Sequence, residues 1–135
     1  MNAPHAVIDV GTNSTNLLVL DASGAEILRT IATTRLGEAL QPTGSLSVES
    51  INRTVTQIEQ HIVTAREKGA QHISIVGTAA CRRAANTSEF ADRVQSATGV
   101  TLEILSEREE ATLTFTGALS GLPEELVPTV VIDIG

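Results

Sequence analysis

The order of segments constrains this chain most. Three short apolar runs come first, parted by turn residues, and helical and strand-like segments alternate after them. The first run is Ala6–Asp9, which closes on Val10-Gly11-Thr12-Asn13-Ser14. Leu17–Leu20 is the second. Asp21-Ala22-Ser23-Gly24 is turn-rich, and Ala25–Ala32 returns as a third strand. Short runs joined by tight turns predict an antiparallel meander. Thr33–Gly44, with Gly37, Pro42 and Gly44, reads as a loop.

From Val48 the period changes. Val48, Ile51, Val55, Ile58, Ile62 and Ala65 recur at helical spacing and form one apolar stripe. Ser47 is placed as N-cap, and Gly69 falls just past the end. His72–Val76 predicts a strand, and Gly77-Thr78 leads into a short helical segment. Asn86 and Glu89 have capping-box spacing at the head of a helix that Gly99 ends. Val100–Leu105 predicts another strand. Ser106 and Glu109 form a second capping box, opening a helix to about Ser120. Gly121–Pro128 reads as loop and Val130–Ile134 as a last strand. A meander followed by this alternation predicts an α/β fold, a mixed sheet covered by helices.

Composition narrows the function classes. A chain of 135 residues makes one domain and buries roughly two-thirds of its unfolded surface. An apolar content of 41% argues against disorder. The net charge of −7 leaves no general basic footprint, so no nucleic-acid partner is expected. The chain has no Trp or Tyr, and Phe90 and Phe115 make no platform for stacking bases. A polyanion would need a local site, because the overall field opposes it. A single cysteine, Cys81, forms no internal disulfide, which fits a cytoplasmic location. No basic stretch leads into an apolar one at the N-terminus, and no apolar run nears ~20 residues, so no membrane partner is expected.

Three segments carry candidate chemistry. In Asp9-Val10-Gly11-Thr12-Asn13-Ser14 a tight turn after a strand can aim successive N–H groups into one concavity that binds phosphate oxygens. Gly11 can take positive φ and lets a ligand near the backbone. Asp9 could hold a hydrated Mg²⁺. The same residues also suit an ordinary hairpin turn. In Gly77-Thr78-Ala79-Ala80-Cys81-Arg82-Arg83 a helix start and an Arg fork both suit anions. Cys81 reads as a small buried apolar residue rather than a nucleophile, and one of the two arginines reads as a solvated surface residue. In Glu107-Arg108-Glu109-Glu110, acidic residues favour a first helical turn through the macrodipole. Glu109 is taken up by the capping box. Glu110, which shares a face with Thr114 and Gly117, could accept a proton from water, although helical geometry alone does not prefer it to Glu107. His5, His61 and His72 are isolated, lack metal-ligand spacing, and read as surface or strand-edge residues.

Five segments in order resemble the Ppx/GppA phosphatases, a family of exopolyphosphatases and guanosine pentaphosphatases. Asp9-Val10-Gly11-Thr12-Asn13-Ser14 resembles that family's first phosphate loop, with Thr12 where Ser is commoner. Arg35-Leu36-Gly37-Glu38-Ala39-Leu40 resembles its Arg-Leu-Gly-x-Gly-Leu, with Ala39 in place of a Gly. Gly77-Thr78-Ala79-Ala80-Cys81-Arg82 is similar to Gly-Thr-x-x-x-Arg. Leu105-Ser106-Glu107-Arg108-Glu109-Glu110-Ala111 is similar to Ile-Ser-Gly-x-Glu-Glu-Ala, with Glu107 in place of Gly. Val131-Ile132-Asp133-Ile134-Gly135 is similar to the opening of the second phosphate loop, and it repeats the Asp-x-Gly strand end of Val7–Gly11.

The resemblance implies a ribonuclease-H-like domain of the actin-like ATPase superfold over residues 1–128. Residues 129–135 would then be the first strand of a truncated second domain. It implies hydrolysis of terminal phosphoanhydride bonds of inorganic polyphosphate, with guanosine pentaphosphate as the alternative substrate and a kinase of the same superfold as a more distant one. Gly11, Thr12, Asn13, Ser14, Arg82 and Gly135 would bind phosphate. Asp9 and Asp133 would position Mg²⁺, and Glu110 would be the catalytic base. The isolated chain is expected to be inactive. Val130–Ile134, lacking sheet partners, is expected to pair with another chain and give a homodimer.

Overall fold

The structure, a computed structural model, describes residues 3–120, 122–123 and 130–132. Its five strands are β1 (His5–Val10), β2 (Ser14–Leu20), β3 (Glu26–Thr33), β4 (His72–Gly77) and β5 (Leu102–Ile104). Its helices are α1 (Leu40–Thr43), α2 (Val48–Glu67), α3 (Ala79–Arg83), α4 (Thr87–Thr98) and α5 (Glu107–Ser120). The sheet order is β3-β2-β1-β4-β5. β1, β2 and β3 pair antiparallel as the meander, and β4 and β5 continue the sheet parallel to β1. This mixed sheet with a three-strand antiparallel meander is the arrangement that the resemblance implies.

One sheet face makes the core. Alternation turns Ala6, Ile8 and Val10 of β1, Leu17 and Val19 of β2, and Ile75 of β4 to the same side, where they are buried. Ile51, Ile58, Ile62 and Ala65 of α2 and Phe90 and Val94 of α4 close over them. Burying each such Ile, Leu or Phe stabilises the fold by about 1.5–3 kcal/mol.

Helix α2 starts as the sequence predicts, with Ser47 Oγ accepting from Ser50 N at 3.1 Å. It ends at Glu67, and Gly69 just past the Lys68 cap takes a left-handed φ of 86°. Val48 leaves the expected stripe, since it sits on the first turn and stays exposed. Ser50, Thr54 and His61 join the buried side instead. His61 is therefore not the surface residue expected. It is 4% exposed, and its Nε2 lies 3.2 Å from Thr15 O, a carbonyl that can only accept, so Nε2 carries the proton.

Two further expectations change. Asn86 stands at the head of α4 but does not cap it. Its amide turns to Leu46, accepting from Leu46 N at 2.8 Å and donating to Leu46 O at 3.0 Å. The Thr33–Gly44 loop contains the helical turn α1. Val130–Ile132 are not in a strand. Asp133, Ile134 and Gly135 lie outside the described residues, and with them the rest of the expected strand and its pairing.

Candidate active site

The C-terminal ends of β1, β4 and β5 lie side by side because those three strands are parallel. Each end carries one candidate segment. In open α/β sheets this edge is where ligands gather.

The turn after β1 is tight. Gly11 N donates to Ser14 O at 2.9 Å, and Ser14 already belongs to β2. Gly11 does not adopt positive φ, contrary to expectation. Its need is space, since a Cβ there would sit 3.1 Å from Ser14 O. Thr12 O accepts from Gly37 N at 3.0 Å, and Asn13 O accepts from Thr34 N and Arg35 N at 3.0 and 2.9 Å. The N–H groups of Thr12 and Asn13 have no acceptor among the described residues. The Asn13 N–H, opposite the tied Thr12 carbonyl, is thereby turned away from the Gly37 N donor, as the anion-binding concavity suggested by the sequence would require.

The segment after β4 is fastened to this turn. Thr78 N donates to Val10 O at 3.2 Å, with the Thr78 hydroxyl at 3.4 Å from the same oxygen. Gly77 is required by packing, because a Cβ would meet Cys81 Sγ at 2.7 Å. Cys81 is buried as expected, and burial pushes its thiol up to about 11. Helix α3 has only five residues, so its end carries little of the dipole expected of it. Arg82 rather than Arg83 turns inward. Its guanidinium donates to Leu105 O at 2.8 Å and to Glu110 Oε2 at 2.6 Å.

The third segment contains the predicted capping box. Glu109 N donates to Ser106 Oγ at 3.2 Å, and Ser106 N donates to Glu109 Oε2 at 2.8 Å. Hydrogen bonds from Ser106 hold the Glu109 carboxyl below its usual value, so Glu109 is committed to the cap. Glu110 is left to face Arg82. Glu107 and Glu110 line one pocket with Arg82 and Thr114, but the ion pair goes to Glu110. Gly117 meets no close neighbour among the described residues.

Asp9 joins these groups from the open face of the sheet. It lines a groove of 720 Å³ with Thr78, Glu110 and Thr114. Burial pushes its carboxyl up; the Asn16 amide, 3.3 Å from Oδ2, opposes this, and the charge of Glu110 adds to the rise. Asp9 Oδ1 is buried with no hydrogen-bond partner among the described residues, as is Asn16 Oδ1. An orphaned carboxylate oxygen of this kind suits a hard cation. The described residues gather no group of three His, Cys, Asp or Glu. A cation at Asp9 would therefore keep water or substrate oxygens as most of its ligands, as Mg²⁺ usually does. Asp9, Arg82 and Glu110 are thus brought together. Gly11–Ser14 make no direct bond to Arg82 or Glu110 and reach them through β1 and Thr78. Asp133 and Gly135 lie outside the described residues.

The sequence alone missed Arg53 of α2. Its guanidinium donates to Thr34 O, Arg35 O and Glu38 Oε1 behind the turn. Its position opposite the polar loop, on the edge of the α2 stripe, was the available signal.

Comparison with known proteins identifies the family. The model of the Ppx/GppA phosphatase family matches residues 19–135. Exopolyphosphatase 2 of Mycobacterium tuberculosis is 31% identical over 142 residues, covering 96% of this chain and 44% of that protein. A guanosine-5'-triphosphate,3'-diphosphate pyrophosphatase of Vibrio cholerae is 30% identical over 137 residues, covering 97% of this chain and 27% of that protein. Among solved structures, an exopolyphosphatase-like protein superposes with a TM-score of 0.85 at 31% identity, covering 94% of this chain and 40% of its own. The chain spans less than half the length of these relatives. On the family match, the shared fold and the ordered loops, this chain belongs to the Ppx/GppA phosphatase family.

Proposed function

We propose that this chain forms the phosphate-loop domain of a cytoplasmic exopolyphosphatase, which releases terminal phosphate from inorganic polyphosphate. The observation that carries the reading is the Arg82–Glu110 pair at 2.6 Å, whose Glu110 also lines a groove with Asp9. An anion-binding fork and a carboxylate stand together where three parallel strands end. Location rests on the sequence and on the buried, unpaired thiol of Cys81. Among the described residues no helix is long and apolar enough to cross a membrane.

The chemistry follows from these groups. A terminal phosphate seated on the Thr12 and Asn13 N–H groups, beside the hydroxyls of Thr12 and Ser14, brings its oxygens toward Arg82. The Arg82 fork then shares its donors between phosphate and Glu110. The Glu110 carboxylate, partly released, accepts a proton from water. The water oxygen forms a bond to the terminal phosphorus as the bridging P–O bond breaks. Inorganic phosphate leaves with a chain one unit shorter, and Glu110 returns its proton to solvent. Mg²⁺, when bound, would neutralise phosphate charge, with Asp9 Oδ1 as its seat among the described residues and Asp133 as the expected second. Positioning and charge neutralisation are what phosphoryl transfer demands.

Guanosine pentaphosphate is the second substrate reading, supported by the Vibrio cholerae relative. The absence of Trp and Tyr from this chain favours polyphosphate. Glu110→Gln in the full-length protein tests the reading. Phosphate release should fall about 10²–10⁴-fold with the fold intact. Near-normal release would remove Glu110 as the base, and assays with both substrates decide the preference.

A further inference from the structure

The segment Thr34–Glu38 lies as a strap behind the Gly11–Ser14 turn and takes up its carbonyls. Thr34 N, Arg35 N and Gly37 N account for Asn13 O and Thr12 O. Tying Thr12 O fixes the Thr12–Asn13 peptide plane, whose N–H, that of Asn13, points the other way. The strap is not relaxed backbone. Arg35 has φ 50°, a left-handed conformation that costs energy for a residue with a Cβ. Gly37 approaches so closely that a Cβ would lie 2.5 Å from Thr12 Cγ2. Something must hold the strap in this form.

Arg53 reaches it from α2. Nε donates to Thr34 O at 2.6 Å, and Nη2 donates to Glu38 Oε1 at 2.8 Å and to Arg35 O at 3.4 Å. One guanidinium thus binds the carbonyls on both sides of the left-handed link, together with the side chain that follows. The planar fork is required, because a lysine ammonium cannot span three acceptors in fixed directions. Arg53 does not face the groove. We propose that Arg53 is a positioning residue: it locks the strap, and the strap aims the Asn13 N–H group at phosphate. This rests on the reading of that turn as a phosphate loop.

The test uses the full-length protein with Arg53→Ala, Arg53→Lys and, as control on the same helix, Arg66→Ala. Arg53→Ala should raise the KM for polyphosphate about ten-fold while kcat falls less, the pattern of lost ground-state binding. Arg53→Lys should recover part of the loss, and Arg66→Ala should match wild type. A ligand-free arm follows amide hydrogen exchange. Thr34, Arg35 and Gly37 amides should exchange about ten-fold faster in Arg53→Ala, with Ile58 and Ile62 of the α2 core unchanged. Unchanged exchange at the strap overturns the inference, whatever the activity. Faster exchange with an unaltered KM overturns it too, since the strap would not then aim the loop. If wild type hydrolyses neither polyphosphate nor guanosine pentaphosphate, the phosphatase reading fails by itself, and the exchange arm still decides whether Arg53 holds the strap. Should Arg53→Ala not fold, Arg53→Lys carries both arms.

Discussion

At the residue scale, Asp9 sets function against stability. Its folded-state pKa lies above the ordinary 3.8, so the native state binds the proton more readily than the unfolded chain does. Its contribution to stability is full below 3.8 and is lost as pH rises through the folded value. Charged Asp9 therefore works against the fold at neutral pH. Asp9→Asn should raise Tm at pH 7 by a few degrees, with the gain shrinking toward pH 4, while metal-dependent phosphate release drops. Thermal melts at both pH values check it. Gly77→Ala should cost about 1–3 kcal/mol by overpacking, because the new Cβ meets Cys81 Sγ at 2.7 Å; a denaturant titration measures that. The sequence made Asp9, Arg82 and Glu110 candidates, but residue type and spacing could not separate Arg82 from Arg83 or Glu110 from Glu107. The choice depends on Arg82 and Glu110 meeting across 28 residues of chain. No local pattern encodes such a pairing.

At the element scale, α2 was the most legible part of the sequence and still carried a surprise. Its limits followed from Ser47 and Gly69, which act locally. Ser47→Ala should cost about 1 kcal/mol, measured by unfolding, through loss of the N-cap. Its buried histidine was misread because a polar residue on an apolar stripe was taken as marginal. Thr54, Ile58, His61 and Ala65 nonetheless keep helical spacing, and Thr15 O supplies the acceptor that makes burial tolerable. Burial holds the His61 pKa below 6.5. Its neutral form stabilises the fold fully above pH 6.5, and that stabilisation is lost as pH falls toward the folded value. The Tm advantage of wild type over His61→Gln should therefore shrink below pH 6.5. At α4 the local signal misled in the other direction. Asn86 and Glu89 have capping-box spacing, yet Leu46, 40 residues away, takes both ends of the amide. A tertiary partner outcompeted a local one.

At the scale of the whole molecule, the two sheet faces differ. One is closed by α2 and α4. The other carries Asp9, the groove, and α5, a helix with no buried residue. The segment order predicted the sheet and its helices, because alternation of apolar runs is set by backbone geometry. It did not predict how lightly α5 would be held, which depends on what packs against it. Helix α5 should exchange its amides faster than α2 by orders of magnitude in this chain, by hydrogen–deuterium exchange.

On the proposed reading, the turn after β1 would hold phosphate with peptide N–H groups rather than cationic side chains. Every residue except proline supplies such a group. Recognition built this way is insensitive to which side chains occupy positions 12 and 13, and Thr12 in place of the family's commoner Ser leaves it whole. It is sensitive instead to spacing. Adding or removing one residue between Asp9 and Ser14 would misdirect every donor at once. Mutational scans should therefore tolerate substitution at positions 12 and 13, reject proline there, and reject any change of length in this loop.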